Sequence, residues 1–570
     1  MKRLFLLVVL AAVAAGGIYY GLQRAQPSYT EVAALLPRGT IALAHFPDFK
    51  RTRDEWHQSD IYKLYQEPAV QEFLKPLNVQ QRDASAETLD EIERVDPKNA
   101  FVAITSVEGN NPHFLAGFRF HGSQSDAETM ISKWRSHLVR DPSAHETVDY
   151  ETHKIDIVGA APNQIASVYD GRWFFASNDL AELKAILDRV DGRAKNPPDT
   201  LESDEIFRAA MGHMLPSYAL LLYLQPKGLS GRLSQVNGAI GANVSADQRA
   251  LLEQMQTVCA AAKFDRGKIR DVLFVGMPKM PEDRELTRSS LKLGTADTVL
   301  YIVAVLNPDR LAGISLTGAA LPLGSWFQKV FEVAARTGVT AEEWKAAFDP
   351  EAGALAEWSQ TAHLPSIIAA LPVKDLKRAQ RIVDALTKAI DEDLPWRKAE
   401  KNGVAYYYAQ SPVALFAITP TIAISNQQLV VGLDSVSVEA AMARSEPNAQ
   451  AAKSSATLAN SQTYKTAAHA VPAPTNGFVY LDTKLLYTRL DAALRPMLLV
   501  STAFMPAISD YVDATKLPPS ESVTRHLTPM VSTQFYDKDG YVTESTGPVT
   551  LDIGLGLPAL GWALSHHQQN

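Results

Sequence analysis

The sequence predicts an α+β protein with two tandem copies of a mixed antiparallel-sheet-plus-helix domain behind an N-terminal hydrophobic helix. Three observations lead to this prediction. The chain has 570 residues, more than one hydrophobic core usually organises at about 150 residues per domain. A strand-and-helix cassette occurs twice along the chain, and a run of 19 uncharged residues near the N-terminus is long enough to cross a membrane.

The repeated cassette combines an Asp-Pro start, an apolar strand and an amphipathic helix. The first copy begins at Val95-Asp96-Pro97 and continues through residues 114–118. The second begins at Phe348-Asp349-Pro350 and continues through residues 367–371. The apolar positions of the two helices follow a helical period and match at one offset of 252 residues: Ala127, Met130, Ile131, Trp134 and Leu138 in the first copy, and Ala379, Ile382, Val383, Leu386 and Ile390 in the second.

A second stretch of the chain also occurs in both halves, at an offset of 257 residues. Leu222-Tyr223-Leu224 corresponds to Val479-Tyr480-Leu481, and Arg232-Leu233 to Arg489-Leu490. We therefore predict a first domain over residues 29–290 and a second over residues 291–570, preceded by a membrane anchor or signal sequence over residues 1–28.

Several short strands are predicted between these matched stretches. Runs of β-branched and aromatic residues bounded by turn residues indicate them, at residues 41–46, 155–157, 166–169 and 173–176 in the first copy and 405–408, 415–418 and 428–431 in the second. Each half closes with a predicted hairpin, whose turns are Asp265-Arg266-Gly267 and Asp537-Lys538-Asp539-Gly540. The apolar tail Val549 to Leu564 predicts a strand and packed tail, with contact to a membrane surface as the alternative.

The N-terminal segment predicts export. Lys2 and Arg3 precede the uncharged run from Leu4 to Leu22, which at about 1.5 Å per helical residue reaches about 28 Å. The basic residues hold the N-terminus in the cytoplasm. Ala12-Val13-Ala14 also fits a signal-peptidase site, but the apolar run continues past it, which favours a retained anchor.

Two locations follow from this segment. One is the cytoplasmic membrane, with a single N-terminal span and the bulk of the chain in the periplasm. The other is a secreted or periplasmic chain after signal cleavage.

Composition excludes some classes of function. The formal net charge is -8 and the basic residues are scattered, so no nucleic-acid partner is predicted. Cys259 is the single cysteine, which excludes an intramolecular disulfide and a thiolate zinc cluster. Its neighbours are Val258 and three alanines, so we predict a small buried hydrophobic residue.

No catalytic residue, cofactor site or metal site is predicted from local patterns. The 13 histidines form no His-x-His or His-Glu-x-x-His motif. His45 and His113 have no counterpart in the other copy, which favours structural roles for both. His566-His567 is expected to be a terminal segment that binds metal weakly at most.

Two acidic stretches are predicted to be loops. Asp537-Lys538-Asp539-Gly540 with Glu544 resembles a calcium loop, but its glycine is at the fourth position instead of the sixth. A hairpin turn therefore explains it better. Asp391-Glu392-Asp393 follows the second cassette helix and is predicted to be solvated.

The opening of the chain resembles a known bacterial family. The segments Leu36 to Asp48 and Ile61 to Val70, together with the duplicated cassettes, are similar to a family catalogued only as a domain of unknown function, with an internally duplicated α/β unit. Its members are typically exported with one N-terminal hydrophobic segment. The resemblance implies a location and an architecture, and it implies no catalytic residue.

These observations favour a non-enzymatic envelope protein that binds or scaffolds something outside the cytoplasmic membrane. An envelope protein or a ligand is expected in the cleft between the two domains, which is a usual place for a ligand. The alternative is an exported hydrolase with a site assembled from separate loops. That alternative requires a nucleophile within hydrogen-bond reach of His45, His113 or His363. The sequence therefore neither predicts nor excludes enzymatic activity.

Overall fold

The structure, a computed structural model, describes residues 29–75, 82–108, 111–138, 145–159, 164–194, 199–226, 253–279, 285–305, 337–390, 395–409, 419–445, 457–504 and 514–556. Helices and antiparallel strands alternate along these residues, which confirms the α+β class. The chain divides into two compact units. Unit 1 comprises Met1–Pro278, Asp537–Val542 and Pro548–Ser565, and unit 2 comprises Lys279–Tyr536, Thr543–Gly547 and His566–Asn570.

The elements of the first half are short and closely spaced. The helices are α1 (Tyr29–Leu35), α2 (Phe49–Trp56), α3 (Asp60–Tyr65), α4 (Pro68–Leu74), α5 (Arg82–Val95), α6 (Gln124–Leu138), α7 (Leu180–Val190) and α8 (Glu205–Gly212). The strands are β1 (Ala42–Asp48), β2 (Pro97–Glu108), β3 (Asn111–Phe120), β4 (His145–Tyr150), β5 (His153–Val158), β6 (Ile165–Asp170), β7 (Trp173–Ser177), β8 (Leu220–Leu224), β9 (Thr257–Asp265) and β10 (Lys268–Gly276).

The second half has the same kinds of element. The helices are α9 (Ala341–Ala347), α10 (Leu376–Ile390), α11 (Ser435–Ser445), α12 (Gln462–Ala468), α13 (Thr483–Phe504) and α14 (Ser520–Thr524). The strands are β11 (Thr298–Val305), β12 (Glu351–Glu357), β13 (Ser366–Pro372), β14 (Trp396–Lys401), β15 (Val404–Ala409), β16 (Thr421–Ile424), β17 (Gln428–Gly432), β18 (Gly477–Leu481), β19 (Met530–Asp537) and β20 (Gly540–Gly547).

The strand order is the same in both halves. Antiparallel pairing in the first half gives β4-β5-β6-β7-β3-β2-β1-β8-β9-β10. In the second half it gives β14-β15-β16-β17-β13-β12-β11-β18-β19-β20. The central strands β1 and β11 each have a neighbour on both sides.

Strand register shows which residues of these central strands are equivalent. His45 of β1 lies opposite Leu221 of β8, and Val303 of β11 lies opposite Phe478 of β18. Leu221 and Phe478 are separated by the offset of 257 residues found in the sequence. His45 and Val303 therefore occupy the same place in the two strand arrangements, and Leu43 corresponds in the same way to Tyr301.

The cores of the two units also correspond. In unit 1 the ring of Phe207 packs edge-on against Tyr223, with centroids 5.0 Å apart. In unit 2 Tyr464 packs edge-on against Tyr480 at 5.1 Å. These residues are buried, and such aromatic pairs stabilise a core beyond the area they remove from water.

Several local predictions agree with these elements, and others need correction. β1 continues through Pro47 to Asp48, beyond its predicted end. β2, β4, β12, β14 and β16 were not predicted. The residues of β4 and β14 are largely exposed and lack an apolar alternation. The predicted strand at residues 415–418 lies outside the described residues.

The described part of the C-terminal tail differs from its prediction. Asp552–Gly556 is a single π-helical turn and not a strand. The buried carboxylate of Asp271 accepts hydrogen bonds from the backbone N–H groups of Asp552 and Ile553 at 3.1 and 2.9 Å. The contact supports packing of this part of the tail within unit 1. Residues 557–570, with His566-His567, lie outside the described residues.

No helix among residues 29–556, in the parts that the structure describes, is long and apolar enough to span a membrane. The predicted membrane segment from Leu4 to Leu22 lies outside those parts.

A buried carboxylate, that of Glu351, fixes the segment at the start of unit 2. Glu351 is 1% exposed, and its two oxygens accept hydrogen bonds from the backbone N–H groups of Thr287, Arg288 and Ser289 at 2.6 to 3.1 Å. The hydroxyl groups of Thr287 and Ser289 also donate to it. This arrangement holds the segment before β11 against the first residue of β12.

Replacing Glu351 with Ala is expected to destabilise the protein by about 3 kcal/mol, because three backbone donors lose a charged acceptor in a buried place. Urea denaturation of the full chain measures this change. Glu342→Gln is the control: Glu342 is 87% exposed in a surface pair with Lys345, so its loss should cost less than about 0.5 kcal/mol. Equal effects of the two substitutions would contradict the role given to Glu351.

Candidate binding site

The three histidines singled out from the sequence have different environments. His45 is fully buried, and its Nδ1 lies 2.8 Å from the Tyr218 hydroxyl. His113 pairs through Nδ1 with Asp179 at 2.9 Å, while His363 is exposed. Among the described residues, neither the His45 ring nor the His113 ring is hydrogen-bonded to a Ser, Thr or Cys side chain.

The other candidates from the sequence are structural where they are described. Asp537 and Asp539 lie in the turn between β19 and β20, where Lys538 has a φ of 55° and the Asp539 N–H bonds to the Asp537 carbonyl at 2.7 Å. The predicted hairpin turn is therefore confirmed. Cys259 is buried in β9, and burial raises the pKa of its thiol. Residues 391–393 lie outside the described residues.

Several polar side chains missed by the sequence analysis lie on the segment that follows His45. β1 presents Leu43 and His45 to the interior, and α2 begins directly after this strand. The Asp48 side chain caps α2 by accepting a hydrogen bond from the Arg51 N–H at 2.8 Å, as Asp does at helix N-termini. Positions 48, 51, 52 and 55 then share one face of the helix, and they carry Asp48, Arg51, Thr52 and Glu55.

Tyr218 connects the strand to this helix. Its hydroxyl contacts His45, and its backbone carbonyl accepts a hydrogen bond from an Arg51 terminal nitrogen at 3.2 Å. Tyr218 is 0% exposed and lies directly before β8, the other neighbour of β1. The pairing of β1 with β8 therefore brings His45, Arg51 and Tyr218 together.

Four buried side-chain atoms in this segment have no hydrogen-bond partner within the described part of the chain: His45 Nε2, Arg51 Nε, Thr52 Oγ1 and Glu55 Oε1. Asn99 acts on the His45 ring as a polar neighbour that raises its pKa against the larger effect of burial, and the Asn99 amide nitrogen donates to Glu31 at 2.6 Å. An unsatisfied buried polar group costs about 1–3 kcal/mol. Because native structures hold few such groups, four within one segment indicate a place where a bound molecule or ordered water completes the hydrogen bonds.

Burial also changes the charge state of two groups here. Burial lowers the pKa of His45 to about 3, with a smaller opposing effect from Asn99, so the imidazole is neutral at physiological pH. Burial raises the pKa of Glu55 to about 7; Arg51 lowers it, while Asp265, Asp48 and Asp54 raise it further. Perturbed groups of this kind cluster at functional sites.

Unit 2 has different polar groups at the equivalent core positions. Val303 stands where unit 1 has His45, and Tyr301 stands where unit 1 has Leu43. Tyr464 likewise replaces Phe207. Its hydroxyl is buried with no partner at hydrogen-bond distance among the described residues; burial raises its pKa, and the neighbouring Arg288 guanidinium lowers it. A histidine at this core position is therefore particular to unit 1.

A second group of polar side chains in unit 1 has the composition of a metal site. His153 Nε2 lies 2.8 Å from an oxygen of Asp191, and His153 Nδ1 lies 4.0 Å from an oxygen of Asp170. One ligand atom from each of the three residues lies within 4.8 Å of the other two. No local pattern in the sequence indicates this group, because its members come from three separate elements.

No known protein family and no curated protein sequence matches the chain. Among solved structures, crystal form III of TP0453 aligns with 44% of this chain and 80% of its own chain, at 8% identity and a TM-score of 0.23. Crystal form I of TP0453 aligns with 45% and 81%, at 9% identity and the same TM-score. A likeness of this size supports no statement about fold or function.

Replacing Glu55 with Gln is expected to stabilise the protein above pH 7 and to have little effect at pH 4.5. The folded state raises this pKa from 4.5 to about 7, so it holds the proton more tightly than the unfolded state. The free energy of unfolding of the unmodified chain therefore falls as pH rises through this window. Chemical denaturation at pH 4.5, 6 and 8 measures the difference, which we expect to reach about 1–2 kcal/mol after solvent screening. The exposed Glu72, changed to Gln, should show no such trend.

Replacing Tyr464 with Phe is expected to leave stability unchanged or raise it by about 1 kcal/mol, because the change removes a buried hydroxyl that lacks a partner. Tyr301→Phe is the matched control. The Tyr301 hydroxyl lies 3.2 Å from that of Ser290, so this change should cost about 1 kcal/mol. Thermal denaturation compares the two, and a larger loss for Tyr464→Phe would contradict the assignment.

Proposed function

We propose that this chain is a non-enzymatic binding or scaffolding module of the cell envelope, exposed outside the cytoplasmic membrane and built by internal duplication. In this proposal the N-terminal segment from Leu4 to Leu22 anchors the chain, or is cleaved as a signal. Membership of the exported family that the sequence resembles is part of the same proposal. The identical strand order of the two halves supports the duplication.

The binding function rests on the polar cluster of His45, Arg51, Thr52, Glu55 and Tyr218. We infer that it takes a small polar molecule that both donates and accepts hydrogen bonds. Arg51 Nε offers a donor, Glu55 Oε1 an acceptor when ionised, and the Thr52 hydroxyl offers both. A ligand bonded to these atoms would offset the stability that they cost in its absence.

The geometry supports binding better than hydrolysis. The His45 ring is enclosed and neutral, with Tyr218 as its hydrogen-bond partner. In His113 the ring nitrogens face two carboxylates, Asp179 at 2.9 Å and Glu108 at 3.9 Å. An activated Ser, Thr or Cys nucleophile needs a base within about 3.2 Å, and the described contacts of these two rings include no such side chain.

Native mass spectrometry of the full chain, extracted gently from envelope membranes, tests the binding function. We expect an additional small-molecule mass that is lost on denaturation and reduced in Arg51→Gln. Arg208→Gln, an exposed change on α8 of the same unit, should retain the mass. No bound mass in the unmodified chain, or equal masses in both variants, would overturn the proposal.

Fractionation of cells tests the location separately. Retention in membranes after an alkaline wash, with an intact N-terminus, is the expected result. A mature chain that begins at Ala15 would instead indicate signal cleavage. Recovery in the cytoplasm would contradict export.

A further inference from the structure

We propose that His153, Asp170 and Asp191 form a binding site for a divalent first-row transition metal ion such as Zn²⁺. This site is separate from the His45 cluster and does not depend on the function proposed for it. The proposal rests on the position of one imidazole and two carboxylates, which lie together at one edge of unit 1.

Three elements bring the ligands together. His153 is the first residue of β5, Asp170 is the last residue of β6, and Asp191 directly follows α7. The tight turn before β7 uses Gly171 at a φ of 56°, and the end of α7 uses Gly192 at a φ of 68°. Both turns are therefore set by glycine conformations, which keep the two carboxylates beside the histidine ring.

The distances suit a metal ion after small side-chain rotations. Zn²⁺ binds imidazole nitrogen and carboxylate oxygen at about 2.0–2.2 Å, so its ligand atoms lie about 3–4 Å apart. His153 Nε2 lies 2.8 Å from Asp191 and Nδ1 lies 4.0 Å from Asp170, so the two carboxylates face different ring nitrogens. A single ion binds one nitrogen, and one ligand atom from each residue lies within 4.8 Å of the other two, so one carboxylate has to rotate toward the ion. The side chain of His153 is 7% exposed and those of the two aspartates 22% and 24%. The ring is thus held in place, and solvent still reaches the carboxylates.

The chemistry of the three groups selects the class of metal. Carboxylates alone suit Mg²⁺ and Ca²⁺, whereas a neutral imidazole favours Zn²⁺, Ni²⁺ and Cu²⁺. Three protein ligands leave a fourth position for water or another ligand. We therefore expect Zn²⁺ to bind more tightly than Mn²⁺, and Mg²⁺ to bind weakly.

Arg193 is the group that competes with a metal ion. It forms an ion pair with Asp191 and also contacts Asp188 at 3.0 Å. Asp188 accepts a second hydrogen bond from the Tyr150 hydroxyl at 3.0 Å. Arg193 can therefore release Asp191 to a metal ion and keep its contact with Asp188. Removal of Arg193 therefore separates two interpretations. It should strengthen metal binding if the three residues form a metal site, and it should not do so if they form only a structural ion-pair network.

Two of the three ligands have no counterpart in unit 2. Tyr150 pairs with His153 at the end of the β4–β5 hairpin, as Lys401 pairs with Val404 in β14–β15. Val404 thus stands at the position of His153. Asp170 follows Tyr169, the partner of Phe174, and Ser425 follows Ile424, the partner of Leu429. His153 and Asp170 are therefore particular to unit 1, at positions where the halves diverge.

Titration of the full, chelator-treated chain with Zn²⁺ tests this proposal, with calorimetry and native mass spectrometry as readouts. We expect one tightly bound ion and an increase in Tm, because the ion links three elements of the folded state. Asp170→Asn and His153→Gln should each weaken binding by about tenfold or more. Arg193→Gln should strengthen binding, since it removes the competing cation.

Two control variants separate this site from other histidines. His145 forms an exposed pair with Asp156 at 3.5 Å on the same hairpin, so His145→Gln should bind Zn²⁺ as the unmodified chain does. The double change His566→Gln and His567→Gln removes the terminal histidines and should also retain the tight site.

Circular dichroism without metal confirms that each variant is folded, and the Co²⁺ absorption spectrum provides a second readout for the more conservative Asp170→Asn. Loss of Zn²⁺ binding on removal of the terminal histidines would overturn the proposal. So would unchanged affinity in folded Asp170→Asn, weaker binding in Arg193→Gln, or no stoichiometric ion in the unmodified chain.

Discussion

The arrangement of each unit is organised around a central strand that pairs with a neighbour on each edge. β1 lies between β2 and β8, and β11 lies between β12 and β18. Each neighbour then positions its own hairpin or helix. Because successive residues of a strand point to opposite faces, a shift of one residue would exchange the buried and outer sets. The register of this strand therefore decides which side chains form the core.

Equivalent core positions of the two units carry different polar groups. Unit 1 holds His45 where unit 2 holds Val303, and unit 2 holds Tyr301 and Tyr464 where unit 1 holds Leu43 and Phe207. Apolar residues at such positions lower the free energy of unfolding less, because a buried polar atom without a hydrogen-bond partner destabilises the folded state. Polar groups retained at such a cost are typical of functional sites, where activity and stability conflict.

Local patterns predicted much of the fold. The cassette helices α6 and α10, the helix α7 and the hairpin β9–β10 were indicated by periodicity or turn residues, and each is present. β4 and β14 were not, since an exposed edge strand needs no apolar alternation. The π-helical turn at Asp552 was mistaken for part of a strand, because its contact with Asp271 is remote in sequence.

The candidate sites were harder to predict from the sequence than the helices and strands. His153, Asp170 and Asp191 have no characteristic spacing, since each belongs to a different element and they meet only when the β4–β7 strands pair beside α7. His45 was noticed, but its partner Tyr218 is 173 residues away. Glu55 looks like an ordinary surface carboxylate of a charged helix until its burial is known.

The α+β class and the local turns follow from the sequence alone, because periodicity and turn chemistry act over a few residues and are readable without partners. The folded chain is needed to see that Glu55 is desolvated, that four polar atoms between His45 and Glu55 lack hydrogen bonds, and that an imidazole meets two carboxylates in unit 1. Desolvation and convergence depend on distant segments meeting in space, and strand pairing sets those meetings in this protein.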